Sequence, residues 1–173
     1  MSAVEDLKQR LGIIADLNAT AAVLGWDQET YMPPGAIEAR AEQLTTLARL
    51  SHEKFTDEGI GRLLEAAATE LDGNSFDFGN PAFDSDDASL VRVATRDWKR
   101  ATKIPADLVA RLAHASSIGQ QALQMAREAS DFAVFKSHLE AIVELTGEKA
   151  EALGYKDRIY AVSYTHLTLP TKA

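Results

Sequence analysis

Two adjacent prolines, Pro33-Pro34, cut what would otherwise be one long helical pattern, and that cut sets how the N-terminal part of this chain can fold. Before the cut, Leu7, Leu11, Ile14, Leu17, Ala21 and Leu24 recur at three- and four-residue steps, the spacing of an apolar stripe on one helix face. Ser2 followed by Glu5 fits a capping box that starts this helix. Gly25 loosens its end. The prolines then forbid continuation, because proline lacks the backbone donor and disfavours helix in the residue before it. Pro34 suits the first turn of a second helix. That helix is expected to reach about His52, with Ile37, Ala41, Leu44, Leu47 and Ala48 inward and Glu38, Arg40, Glu42 and Arg49 outward.

The same reasoning continues along the chain. Thr56 is placed to cap a third helix that ends near Leu71. Asp72-Gly73-Asn74 and Gly79-Asn80-Pro81 are turn chemistry, and Phe76, Phe78 and Phe83 are expected to pin the intervening loop to the body. Asp84-Ser85-Asp86-Asp87 reads as a helix start, with carboxylates where the helix dipole favours them. The fourth helix carries Leu90, Val91, Ala94, Trp98 and Ala101. Ile104-Pro105 ends it, with Pro105 in the first turn of a fifth helix that buries Leu108, Leu112, Ala115, Ile118, Ala122, Leu123 and Met125 and ends near Ala129. Asp131 caps a sixth, whose apolar positions are Phe132, Phe135, Leu139, Ile142, Val143, Leu145 and Ala150, and Gly154 closes it. The expected fold is all-α, an irregular array of about six helices joined by short turns.

Composition agrees with helix and narrows function. Alanine and leucine dominate, and β-branched and aromatic residues are sparse. A formal net charge of −8 argues against nucleic acid and anionic membrane surfaces as partners, since both require a basic footprint. The chain has no cysteine, hence no disulfide framework and no thiolate metal site. Met1-Ser2-Ala3-Val4-Glu5-Asp6 does not read as a secretory signal, and no apolar run approaches the ~20 residues that span a bilayer. A cytoplasmic location is the expectation.

Residues able to carry chemistry are scattered. A helical metal site needs two histidines four apart, on one helix face, to reach the same ion. The histidines are His52, His114, His138 and His166, and no two are close in sequence. Four residues after His52 stands Thr56, and four after His138 stands Ile142. Asp27 and Glu29 flank Gln28 at one helix end, and Asp84, Asp86 and Asp87 cluster at another as a cap. Asp27, Gln28 and Thr30 are read chiefly as satisfying backbone groups around the proline break, with a role in shaping a groove wall as the second reading. Trp26 and Trp98 are expected to be core anchors. Arg40, Arg49, Arg96, Lys99 and Arg100 could bind a peptide carboxylate, but solvated helix faces account for them equally well. No catalytic, cofactor-binding or metal-binding residue is assigned.

The string Trp26-Asp27-Gln28-Glu29-Thr30-Tyr31-Met32-Pro33-Pro34-Gly35, followed by Ala39-Arg40-Ala41-Glu42-Gln43-Leu44 and Leu50-Ser51-His52-Glu53, resembles the signature near the N-terminus of the carboxypeptidase Taq family of zinc metallocarboxypeptidases. A second block of resemblance runs from Ile104-Pro105 to Gly154, with departures at Leu123, where that family often has tryptophan, and near Arg111, where an acidic residue is common. The resemblance implies a mostly helical, cytoplasmic, often homodimeric enzyme. Such an enzyme trims amino acids from peptide C-termini with one divalent metal, its N-terminal helices forming a side or lid over a deep groove. It also implies that the His-Glu-x-x-His helix lies downstream of this sequence, so that residues 1–160 form the N-terminal helical region alone, inactive and without bound zinc. From about Ala161 the character changes, and Val162 to Ala173 resembles translated sequencing-adapter read-through, so 161–173 is read as a non-native tail and His166 is not read as a ligand. The alternative function is a stand-alone helical interaction module without catalysis.

Overall fold

The three- and four-residue spacing is realised as six α-helices: α1 Ala3–Thr30, α2 Ile37–Thr56, α3 Glu58–Glu70, α4 Asp86–Ala101, α5 Ala106–Ala129 and α6 Ala133–Leu153. This is a computed structural model, and it describes residues 2–71 and 81–155. Among these residues there is no strand; the connections include 3₁₀ turns at Pro34–Ala36 and Pro81–Asp84. Phe76, Phe78 and the 161–173 tail lie outside the described residues. The chain divides into two units, Met1–Val23 with Leu50–Thr102 and Leu24–Arg49 with Lys103–Ala173, so α1 and α2 each contribute to both.

The first unit has a core of large aliphatic side chains. Val4, Leu7 and Ile14 of α1 meet Ile60 and Leu64 of α3 and Val91 and Ala94 of α4. Leu7, Ile60 and Val91 are its largest fully buried side chains, each stabilising by about 1.5–3 kcal/mol relative to an exposed one. The α1 stripe is correct here: Leu7 and Ile14 are buried, and Leu11 and Leu17 half-buried. Trp98 packs against this core as expected. Its ring lies so close to α3 that a Cβ at Gly61 would stand 2.7 Å from it, which is why that helix position carries no side chain. The indole Nε1 is buried without an acceptor among the described residues.

The capping expectations are met in part. Ser2 Oγ accepts from the Glu5 amide at 3.2 Å. α2 runs on past His52 to Thr56, whose hydroxyl donates to the His52 carbonyl at 2.8 Å. The cap of α3 is therefore Asp57, not Thr56, with its carboxylate accepting from the Gly59 amide at 2.8 Å. At α4 the capping atom is the Ser85 hydroxyl, which accepts from the Ala88 amide; Asp86 and Asp87 fill the first turn, and Asp84 ends the preceding 3₁₀ turn. Asp87 also pairs with Lys8 at 2.8 Å, a hydrogen bond that raises the Lys8 pKa. Phe83 is half-buried, with the Arg92 guanidinium stacked 3.7 Å from its ring centroid.

The second unit is built on small residues. Arg111 of α5 meets Glu148 of α6, while Gly119 meets Ile142 further along, so partners run in opposite order and the two helices form an antiparallel hairpin. Buried positions here are mainly Ala41, Ala110, Ser117, Gly119, Ala122, Ala126 and Ala150, with Leu108 and Leu145 as the large ones. A Cβ on Gly119 would stand 2.8 Å from Ile142 Cδ1, a measure of how near the helices approach. Ser130, left-handed at φ 51°, ends α5; the N-cap of α6 is Phe132, not Asp131, which stands one residue earlier with its carboxylate accepting from the Ala133 amide at 2.9 Å. Gly154 closes α6 at φ 80°, its amide donating to the Ala150 and Glu151 carbonyls. Two boundaries shift: Pro34 opens a 3₁₀ turn ahead of α2, and Pro105 occupies the N-cap of α5, one residue before the helix. Met125, Phe132 and Val143, expected inside, are more than half exposed. The interior beside them is filled by alanine and glycine, and such close helix contacts leave no room for large side chains at the margins.

Candidate functional site

The residues flanking the proline break form a polar network within the second unit. α1 continues five residues beyond Gly25 to Thr30, and its last turn places Asp27 and Gln28 on the side that carries Leu24. The Asp27 carboxylate accepts from Arg40 of α2 at 2.6 Å, and the same guanidinium donates to the Leu24 carbonyl. Arg40 was expected on the outward face; its side chain is only 12% exposed because this carboxylate and carbonyl draw it in. Gln28 uses both ends of its amide: Nε2 donates to the Ser117 carbonyl at 3.0 Å, and Oε1 accepts from the Ser117 hydroxyl at 2.8 Å. Glu29 accepts from Gln120 at 2.6 Å, and Gln121 donates to the Pro34 carbonyl at 3.3 Å. Thr30 returns its hydroxyl to the Trp26 carbonyl at 2.8 Å.

The backbone-capping role expected for Asp27 and Gln28 is thus corrected: their side chains tie one helix to another, and only Thr30 bonds locally. Trp26 is corrected as well. It is 58% exposed and pairs edge-on with the exposed Tyr31 at 5.6 Å between centroids. Two residues beyond Leu24, it stands about 200° round the helix from the inward stripe. Sequence reading missed Arg40, Ser117 and Gln120 as partners. One signal was available: Asp27 and Arg40 lie nearly equidistant from Pro33-Pro34, where a chain reversal brings opposite charges level.

The remaining candidates do not converge. His52 lies on α2 in the first unit; His114 and His138 lie in the second, and His166 lies outside the described residues. His114 Nε2 stands 3.7 Å from Glu42 Oε1, and His138 lies along α6 beside Gly119. No group of three or more histidine, aspartate or glutamate residues is placed to hold a metal ion among the described residues. The donor set of the described residues therefore does not fit a zinc centre. Arg96 is paired with its neighbour Asp97, and Lys99 and Arg100 sit in the last turn of α4, where the helix dipole favours cations.

Arg111 is bonded to Asp107 and, through two nitrogens, to Glu148, linking α5 to α6. The Arg111 hydrogen bond holds the Glu148 carboxyl below its ordinary range, and the two carboxylates raise the Arg111 pKa. A carboxyl with a lowered folded-state pKa stabilises above its unfolded pKa and loses that contribution as pH falls through the folded value. Glu148→Gln is therefore expected to lower the thermal midpoint at neutral pH, the difference shrinking as pH falls through the folded value. Melting curves of the two proteins across that range check it.

With fold and network in place, the comparisons with known proteins are consistent with one another. The family model for the carboxypeptidase Taq (M32) metallopeptidases matches residues 6–163. The chain is 35% identical over 152 residues to thermostable carboxypeptidase 1 of Thermus thermophilus, covering 86% of this chain and 27% of that protein. It superposes on the crystal structure of an M32 carboxypeptidase from Deinococcus radiodurans with 34% identity and a TM-score of 0.58, over 87% of this chain and 28% of that one. A further solved structure, of BsuCP, shares the fold at a TM-score of 0.84 and 22% identity, over 99% of this chain and 32% of its own. These define an all-α metallopeptidase fold. The chain belongs to the carboxypeptidase Taq (M32) metallopeptidase family, and it spans about a quarter of the length of the curated relatives it matches. Among the described residues no helix is long and apolar enough to cross a membrane.

Proposed function

We propose that this chain is the N-terminal helical portion of a metal-dependent carboxypeptidase that releases C-terminal amino acids from peptides. The observation that carries the reading is the family match along residues 6–163 set against coverage of only 27% of the Thermus protein. On this reading zinc, or another divalent metal, and the general base belong to a His-Glu-x-x-His helix outside the given sequence. The 173-residue chain alone then binds no stoichiometric metal and hydrolyses no peptide. The complete enzyme is cytoplasmic and homodimeric, with peptides as substrates. The network joining Asp27 and Gln28 to Arg40 and Ser117 supports a positioning role, holding the end of α1 in a fixed place. Residues 161–173 are a foreign tail on the native region 1–160.

The test is to sequence the source DNA through and beyond the codon for Tyr160. The expected result is a frame that leaves the present tail and continues into a His-Glu-x-x-His segment. A stop codon directly after Ala173 in the source DNA would overturn the reading.

A further inference from the structure

The first unit contains an open groove of about 500 Å³ where α1, the end of α2 and the start of α3 meet. Its size falls within the ~300–1,000 Å³ of small-molecule sites. The floor is apolar and fixed: Ile14 is 8% and Ile60 1% exposed. The walls are apolar and open to solvent, with Ile13 53% and Leu50 40% exposed. Aliphatic surface held open above an aliphatic floor gains by covering, since its removal from water is favourable.

The rim carries both signs of charge. Arg10 and Asp57 face each other at a loose 3.6 Å. Gly59 makes that approach possible, because a Cβ there would stand 2.8 Å from the Arg10 guanidinium and 2.6 Å from the Asp57 carboxylate. A single contact at that distance leaves most of the guanidinium donors available. Lys54 and Glu53 line the same groove, and neither has an ion-pair partner among the described residues. The rim thus sums to zero charge while offering cations to a carboxylate and a carboxylate to an ammonium. A phosphate or nucleotide would bring charge that the two acids oppose; a neutral zwitterion would not.

We propose that this groove binds a free α-amino acid with a branched aliphatic side chain. The side chain lies between Ile13 and Leu50 on the floor made by Ile14 and Ile60. The carboxylate is taken by Lys54 and Arg10, and the ammonium by Glu53. The proposal stands on the geometry of the first unit alone and does not depend on the carboxypeptidase reading.

The test titrates L-leucine into the nitrogen-labelled full chain and follows backbone amide shifts. Saturable shifts confined to residues 10–14 and 50–60 are expected, with a Kd on the order of 1 mM, the scale for so small a ligand in an open site. Glycine lacks the side chain, leucinamide the carboxylate and isocaproate the ammonium, and each is expected to bind at least about tenfold more weakly. Leu50→Ser and Lys54→Ala, both outside the buried core, are expected to weaken leucine binding about tenfold while leaving the remaining shifts in place. Absence of saturation with leucine, equal shifts with glycine, or an unchanged affinity in both variants would each overturn the proposal.

Discussion

Leu7→Ala is expected to destabilise the chain by about 2–5 kcal/mol. Leu7 is fully buried, at 0% exposure, in the cluster with Ile60, Leu64 and Val91. Removing its isobutyl group forfeits transfer free energy and leaves a cavity that three helices can close only in part. The neighbours around the cavity are themselves fixed: Ile60 belongs to α3 and Val91 to α4, and Gly61 already sits against the Trp98 ring. Against a total of roughly 5–15 kcal/mol for a domain, this is a large fraction. Urea unfolding followed by circular dichroism measures it as a lower midpoint. Ile13→Ala, six positions further along α1 at a site 53% exposed, should move the midpoint far less, by under ~0.5 kcal/mol.

Asp27→Ala is the second large effect, with an expected loss of about 1–3 kcal/mol. The damage comes from the partner left behind. Arg40 is 12% exposed, and without Asp27 its guanidinium keeps the Leu24 carbonyl but loses its counter-charge. Asp27 is itself 35% exposed, so water can replace it in part, and the loss falls below the ~3–5 kcal/mol seen when fully buried pairs are broken. Arg40→Lys does not preserve the site, because an ammonium lacks the planar fork that reaches a carboxylate and a carbonyl together. The double variant Asp27→Ala/Arg40→Ala should be less destabilised than the sum of the single ones by about 0.5–3 kcal/mol. Strict additivity would show that the pair does not act as a unit.

Much of the architecture was legible because helix periodicity reports the buried face directly. Each of Leu7, Leu11, Ile14, Leu17, Ala21 and Leu24 is buried or half-buried, and the double proline stops α1 close to where the backbone rules place the break. What periodicity does not report is the neighbour. Arg40 reads as outward on its own helix; only the arrival of Asp27 and the Leu24 carbonyl makes it an inward residue. Met125, Phe132 and Val143 look like core by residue type, yet α5 and α6 meet through Gly119 and alanines, leaving those three at the margin. Caps slipped by one residue at Thr56 and Asp57 because both side chains can cap, and the choice depends on where α2 ends. The network of Gln28 with Ser117 joins residues 89 apart in sequence, beyond any local pattern.

The exposed apolar residues bear on function as well. On the proposed reading, Trp26 and Tyr31, exposed and paired edge-on, are surface that the rest of the enzyme covers. That agrees with a chain spanning about a quarter of its curated relatives.

The most direct measurement is a metal and activity assay on the purified chain, dialysed against zinc, quantified for bound metal, and incubated with an N-blocked dipeptide. The expected result is no stoichiometric zinc and no release of the C-terminal amino acid above a heat-denatured control. Zinc bound one to one, together with hydrolysis that a chelator abolishes, would contradict the assignment of the metal site and its general base to residues outside this sequence.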